Sequence, residues 1–404
     1  MNRVIAFFAF LFFTGSVFGQ AVPASATVPI TLDHNRIIID VRFPMPDGTK
    51  KRVRAWVDNG NPDIWITADL AKTLSLAALG EATQGGKVQA MQPPKEIIVG
   101  GLTIHPDVKE VKAAVGFDSI APGSSAEFSI PSTVLRHYDV QVDYLNRELT
   151  LANPGTIHFE GDSAKVLLNP DNGLMQIPST IAGEKQNLAL DLGASWSLLS
   201  SDLVAKLLKA NPQWPHMTGA VGSANMWGSE EESHWQLLRI PSVRYGPITL
   251  DEVGVASFSK ENMQFFEKRA GVPTAGLIGA NALLNYRVGL DYAHQTVYFK
   301  QTSKHRPPDM DVVGLVLRPE PNLHYTVIGV AGFDGKPSVP EVKAGDALVS
   351  VDGTPPTGGT MGQAWSLLGG APDDTRTLVF ERAGKQFTVQ AKVHRFLSAE
   401  PAKP

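Results

Sequence analysis

Two stretches far apart in the chain carry one pattern: an apolar strand ending in aspartate, a glycine two residues on, an apolar run, then a short helix. The first reads Arg54-Ala55-Trp56-Val57-Asp58-Asn59-Gly60, followed by Ile64-Trp65-Ile66-Thr67-Ala68-Asp69-Leu70-Ala71. The second reads Leu188-Ala189-Leu190-Asp191-Leu192-Gly193, followed by Ser197-Leu198-Leu199-Ser200-Ser201-Asp202-Leu203-Val204. Superposing Asp58 on Asp191 also superposes Gly60 on Gly193, Thr67 on Ser200 and Asp69 on Asp202. Thr67 and Ser200 stand where helix N-caps stand, so the match includes chemistry as well as hydrophobicity. A second pair follows in the same order. Leu135-Arg136-His137-Tyr138-Asp139-Val140-Gln141-Val142-Asp143-Tyr144 lines up with Leu283-Leu284-Asn285-Tyr286-Arg287-Val288-Gly289-Leu290-Asp291-Tyr292. Both alternate at period two and turn into a further strand, at 148–151 and 296–299. Two independent segments in a shared order predict a duplicated, all-β-dominated unit.

Context separates this pair from chance. With 37 glycines in 404 residues, isolated Asp-x-Gly triplets are expected. Asp171-Asn172-Gly173 is one such: it follows Asn169-Pro170, has no apolar strand leading in, and reads as a turn. Composition narrows the chemistry further. A net charge of −4 without a basic block argues against a nucleic-acid binder. The absence of cysteine excludes disulfides, thiol nucleophiles and cysteine-bound zinc. The ten histidines are scattered and form no His-Glu-x-x-His, so no metal is expected. Without a Gly-x-Ser-x-Gly elbow or a glycine-rich phosphate loop, no serine hydrolase and no nucleotide cofactor is expected either.

The N-terminus has the layout of a secretory signal peptide, assigned to 1–19. One positive charge in Met1–Arg3 precedes the apolar run Val4–Phe18, and small-residue exits follow at Gly19-Gln20 or Ala24-Ser25-Ala26. The run falls short of a membrane span. The expected location is secreted or periplasmic, with no membrane span once the signal is removed.

Strand, Asp-x-Gly, apolar run and a later apolar-apolar-Gly step resemble the pepsin and retropepsin-like aspartic proteases. The second half fits best, through Leu188–Ser200 and Gly276-Leu277-Ile278-Gly279-Ala280-Asn281-Ala282-Leu283. The resemblance implies two β-barrel-like lobes related by a pseudo-twofold axis, at 28–160 and 161–303. It implies a catalytic dyad of Asp58 and Asp191, with Gly60 and Gly193 shaping the loops. Carboxylates about 3 Å apart cannot both ionise; one then activates a water and the other donates to the peptide carbonyl. The substrate would be a peptide or an unfolded protein, with no cofactor.

Three departures from the family pattern set expectations of their own. Thr or Ser normally stands between Asp and Gly and bonds across to the other lobe. Here Asn59 retains a polar group for that bond, whereas Leu192 does not. The step matching Ile278-Gly279 reads Ile130-Pro131, losing an N–H. Asp63 adds a third acid expected to disturb the dyad. A flap is sought at Gly85–Met91, where an ordinary hairpin is the competing reading. Trp214 and Trp227 either line a pocket or pack.

Beyond Pro307-Pro308 the repeat stops. Ala344-Gly345-Asp346-Ala347-Leu348-Val349-Ser350-Val351-Asp352-Gly353 resembles a bacterial-type PDZ domain, an α+β unit placed at 310–398. That resemblance implies capture of a C-terminal peptide near Gly314, Leu315 and Val316. The expectation is therefore an exported aspartic-type peptidase with a PDZ domain. The alternative is a catalytically inactive, protease-like protein that binds peptides or proteins.

Overall fold

A computed structural model describes residues 23–116, 119–304 and 310–398. The assigned signal peptide lies outside the described residues. Strands dominate, and among the described residues no helix is long and apolar enough to cross a membrane.

The repeat folds as two equivalent sheets joined by a third. In the first half, strand Lys50–Asp58 alternates, with Val53, Ala55 and Val57 inward, as period-two patterning demands. It pairs antiparallel with Arg36–Pro44 and parallel with Phe128–Pro131, placing Ile130 beside Val57. In the second half, Glu184–Leu190 pairs antiparallel with Met175–Ile181 and parallel with Gly276–Ile278, placing Ile278 beside Leu190. Each aspartate thus ends or follows a central strand beside a parallel neighbour. Thr67 and Ser200 cap the following helices, accepting from Leu70 N–H and Leu203 N–H at 3.3 Å each.

The second repeated pair lies at the molecular centre. Asp139–Asp143 and Tyr286–Asp291 run antiparallel, side by side, in a six-stranded sheet to which each half gives three strands. Antiparallel pairing of equivalent strands is what a pseudo-twofold axis through that sheet produces. One hydrophobic core continues through both halves, from Val57 and Ile130 to Leu190 and Ile278.

Residues 310–398 form a five-stranded sheet with the helix Met361–Leu368. Its Gly-Asp string has a local reason: Gly345 sits at φ +94°, and Asp346 accepts from Lys343 N–H and from Nε and Nη2 of Arg382. This module is not a loose appendage. A second core joins its Val313, Leu315, Val316 and Trp365 to Ala189, Trp196 and Leu198 of the second half.

Candidate active site

The two Asp-x-Gly loops meet at the seam between the halves. A Cβ built on Gly60 would fall 2.6 Å from Asp191 Oδ1, and one on Gly193 would fall 2.7 Å from Asp58 Cγ. Only glycine lets each loop approach the opposite carboxylate so closely. The structure therefore brings together Asp58, Asp191, Gly60 and Gly193. Asp58 Oδ1 accepts from Gly60 N–H at 3.1 Å; Asp191 Oδ1 accepts from the N–H groups of Gly193 and Ala194, both at 2.9 Å.

Both carboxyls are nearly inaccessible, 4% and 7% exposed. Burial pushes Asp58 well above the ordinary carboxylate range, and the neighbouring Asp191 charge adds to it; Gly60 N–H, Arg269 and Arg36 oppose the shift. Burial raises Asp191 to about 6 against the pull of its two N–H donors. The Asp191 charge opposes ionisation of Asp58, so the two carboxyls titrate as a coupled pair.

The residues between each aspartate and its glycine cross the seam unequally. The Asn59 side chain donates to Leu190 C=O at 2.8 Å and accepts from Leu192 N–H at 2.7 Å, spanning the peptide units on either side of Asp191. Leu192, in contrast, is fully buried in the common core. A second crossing comes from Trp56, whose Nε1–H donates to Gly193 C=O at 3.2 Å. Sequence reading missed it, although Trp56 lies two residues before Asp58 and so projects from the same face of its strand.

Pro131 proves compatible with its position. It adopts φ −86°, ψ 178°, almost the backbone of its counterpart Gly279 at −94°, 179°. Gly279 N–H donates to Ser197 Oγ; the residue equivalent to Ser197 in the first half is Ile64, which needs no donor. The lost N–H and the lost acceptor match. The expected disturbance from Asp63 is corrected as well. Its carboxylate pairs with Lys112 at 2.9 Å and with Arg269 of the other half, so it is engaged in ion pairs.

Residues 78–91 form a hairpin with an exposed turn at Gly85–Lys87. Trp227 packs edge-on to Trp235 and tilted to Phe258, and Trp214 packs against the core, so both serve packing. Asp171-Asn172-Gly173 forms the expected turn, with Gly173 at φ +78°.

Gly314, Leu315 and Val316 do not form an open cradle, which corrects the expected peptide-capture loop. Leu315 and Val316 are fully buried, and Leu315 N–H is spent on Val313 C=O. Gly314 C=O accepts from Ser338 Oγ and Ala331 N–H. Directly after Val316, Leu317 N–H donates to Asn225 Oδ1, a side chain from the second half.

Among the described residues no cluster of three or more His, Cys, Asp or Glu could hold a metal ion. A cavity of about 940 Å³ lies where the helix Met361–Leu368 faces the first half, lined among others by Asp33, His34 and Trp365. Neither aspartate lines it.

No family model and no curated protein matches the sequence. A solved structure similar to this chain is an aspartic proteinase from Irpex lacteus, at 15% identity and TM-score 0.42, covering 70% of this chain and 100% of that one. A likeness this distant leaves the function to rest on the geometry of the site itself.

Proposed function

We propose that the chain is an aspartic-type peptidase that hydrolyses peptide bonds with Asp58, Asp191 and one water. The observation that supports this reading most is the mutual approach of the two loops, each glycine lying against the opposite carboxyl. With one proton shared, the ionised carboxylate takes a proton from water as it attacks the peptide carbonyl. The protonated carboxyl donates to the carbonyl oxygen, and the resulting diol collapses with proton transfer to the leaving amine. Both carboxyls are raised, so the singly protonated pair persists to higher pH than free aspartates allow. Cleavage is expected to rise on an acid limb near pH 6, following Asp191. The substrate is an extended peptide or unfolded protein. The module at 310–398 is assigned to the PDZ type on its Gly-Asp and Val-Asp-Gly strings, and export rests on the apolar run Val4–Phe18.

A second reading, a non-catalytic peptide-binding protein, draws on the leucine at 192, whose side chain, unlike that of Asn59, makes no polar bond across the seam. Cleavage of an unfolded protein between pH 3 and 8 by the parent, Asp58→Asn and Asp191→Asn decides between them. Loss of turnover in both variants supports the peptidase. Equal turnover in all three, or tight binding without turnover, overturns it.

A further inference from the structure

Asn225 is fully buried and bonds to three separate parts of the molecule. Its Oδ1 accepts from Leu317 N–H, on the outer edge of the C-terminal sheet, at 2.9 Å. Its Nδ2 donates to Glu232, a fully buried carboxylate of the second half that also accepts from the N–H groups of Trp227 and Gly228. Its backbone C=O lies 2.6 Å from Nε2 of His34 in the first half. Burial beside Arg36 lowers His34 to about 3, so this ring is neutral and carries its proton on Nε2. The ring stacks on Trp365 of the C-terminal helix, and the adjacent Asp33 accepts from Thr360 Oγ and Gly362 N–H at that helix's start.

The same segment reaches the dyad. Ser223 C=O accepts from Ser195 Oγ at 3.0 Å, and Ser195 C=O accepts from Asn35 Nδ2 at 3.3 Å. Ser195 directly follows Ala194, whose N–H donates to Asp191 Oδ1. The first half's counterpart of this segment, the 78–91 hairpin, has an exposed turn. In the second half Gly228 packs so closely on Arg318 and Pro319 that a Cβ would fall 2.8 Å from Arg318 Cα. Residues 225–228 thus lie along the sheet edge where an added peptide strand would lie.

We infer that Asn225 is a positioning residue for Asp191. Through it the C-terminal module, with its strand edge already occupied by residues 225–228, braces the loop that carries this aspartate. The module is then part of the hydrolytic unit and offers no open peptide site at that edge. A buried amide satisfied on both ends holds a single geometry, and a misplacement of about 1 Å in a reacting group costs on the order of 100-fold in rate.

This inference rests on the peptidase reading for its kinetic consequence alone, and the test separates the two. Amide hydrogen exchange is followed on the full chain for the parent, Asn225→Ala and Ser195→Ala, alongside steady-state cleavage of an unfolded protein. In Asn225→Ala, exchange should accelerate at least tenfold at Leu192–Ser195 as well as at Leu317, and kcat should fall at least tenfold with KM within about twofold. Ser195→Ala, a small change that cuts the link nearest the dyad, should reproduce the kcat loss while leaving Leu317 protected. If exchange in Asn225→Ala rises at Leu317 alone, with kcat unchanged, Asn225 merely fastens the module and the inference fails. If Asn225→Ala does not fold, Ser195→Ala decides by the same readouts. If the parent cleaves nothing, the peptidase reading fails, and exchange at Leu192–Ser195 still decides the brace.

Discussion

The two halves reach the same seam by different means. Beside the dyad the first half reaches across with Asn59, which spans Leu190 C=O and Leu192 N–H, and with Trp56, which reaches Gly193 C=O, while the second half reaches back farther along the loop with Arg269, to Asn61 and Asp63. The second half answers with Leu192, packed into the common core, and is itself held by the C-terminal module through Trp196, Leu198 and the Asn225 segment. The strand neighbours differ in a matched way, Ile64 with Pro131 on one side and Ser197 with Gly279 on the other. A duplicated unit can therefore keep its geometry while its halves exchange roles, provided each lost donor is accompanied by a lost acceptor.

That comparison can be broken experimentally. The largest effect is expected at the dyad itself, where Asp58→Asn or Asp191→Asn should each lower the cleavage rate by a factor of about 1,000 or more, because neither acid works without its partner. The same Asp191→Asn change should stabilise the fold. With Asp191 raised from 3.8 to about 6, the native state holds a proton that the unfolded chain has released, so Asp191 makes parent stability fall as pH rises from about 4 to 6, and the raised Asp58 continues that fall above pH 6 until it too ionises. Removing that cost should appear at pH 7 as a higher midpoint in urea unfolding. No gain at pH 7, or a gain equal at pH 4, would show that Asp191 is not held in a raised state.

Copying the second half onto the first tests the bridge. Asn59→Leu leaves Leu190 C=O and Leu192 N–H unpaired in a buried seam and should cost about 2 kcal/mol, with a parallel fall in rate. An unchanged urea midpoint would show that the crossing bond is dispensable. The smallest effect is a coupling. Ile64→Ser alone buries a hydroxyl opposite Pro131, which has no N–H, whereas Ile64→Ser with Pro131→Gly rebuilds the bond seen between Ser197 and Gly279. A double-mutant cycle in urea should return a favourable coupling of about 1 kcal/mol. A coupling of zero would show that these positions do not interact.

Much of the fold was legible because it rests on local pattern. Period-two alternation marked the central strands, Thr67 and Ser200 announced their helices by capping chemistry, and the repeated order aligned Asp139–Asp143 with Arg287–Asp291, strands that the structure pairs side by side. The aspartates and their glycines were legible for the same reason, since a close loop approach demands glycine. What surrounds them was not. Nothing local in the sequence says that Arg269 reaches Asp63, that Arg36 lies buried within reach of Asp58's charge, or that Asn225 will take the N–H of Leu317. These contacts join residues far apart in the chain, and their partners are fixed only once the halves and the C-terminal module have docked. The open loop expected at Gly314–Val316 failed on this account, because the local string is compatible with an accessible edge and tertiary packing filled it.

The most direct test of a shared proton across the seam is a carboxyl carbon-13 NMR titration of Asp58 and Asp191 in the parent and in each single Asp→Asn variant. The two resonances should move together in two steps, both above the ordinary aspartate value of 3.8, and Asp58 should titrate lower once Asp191 is replaced. Two independent transitions near 3.8, unaffected by replacing the other residue, would contradict it.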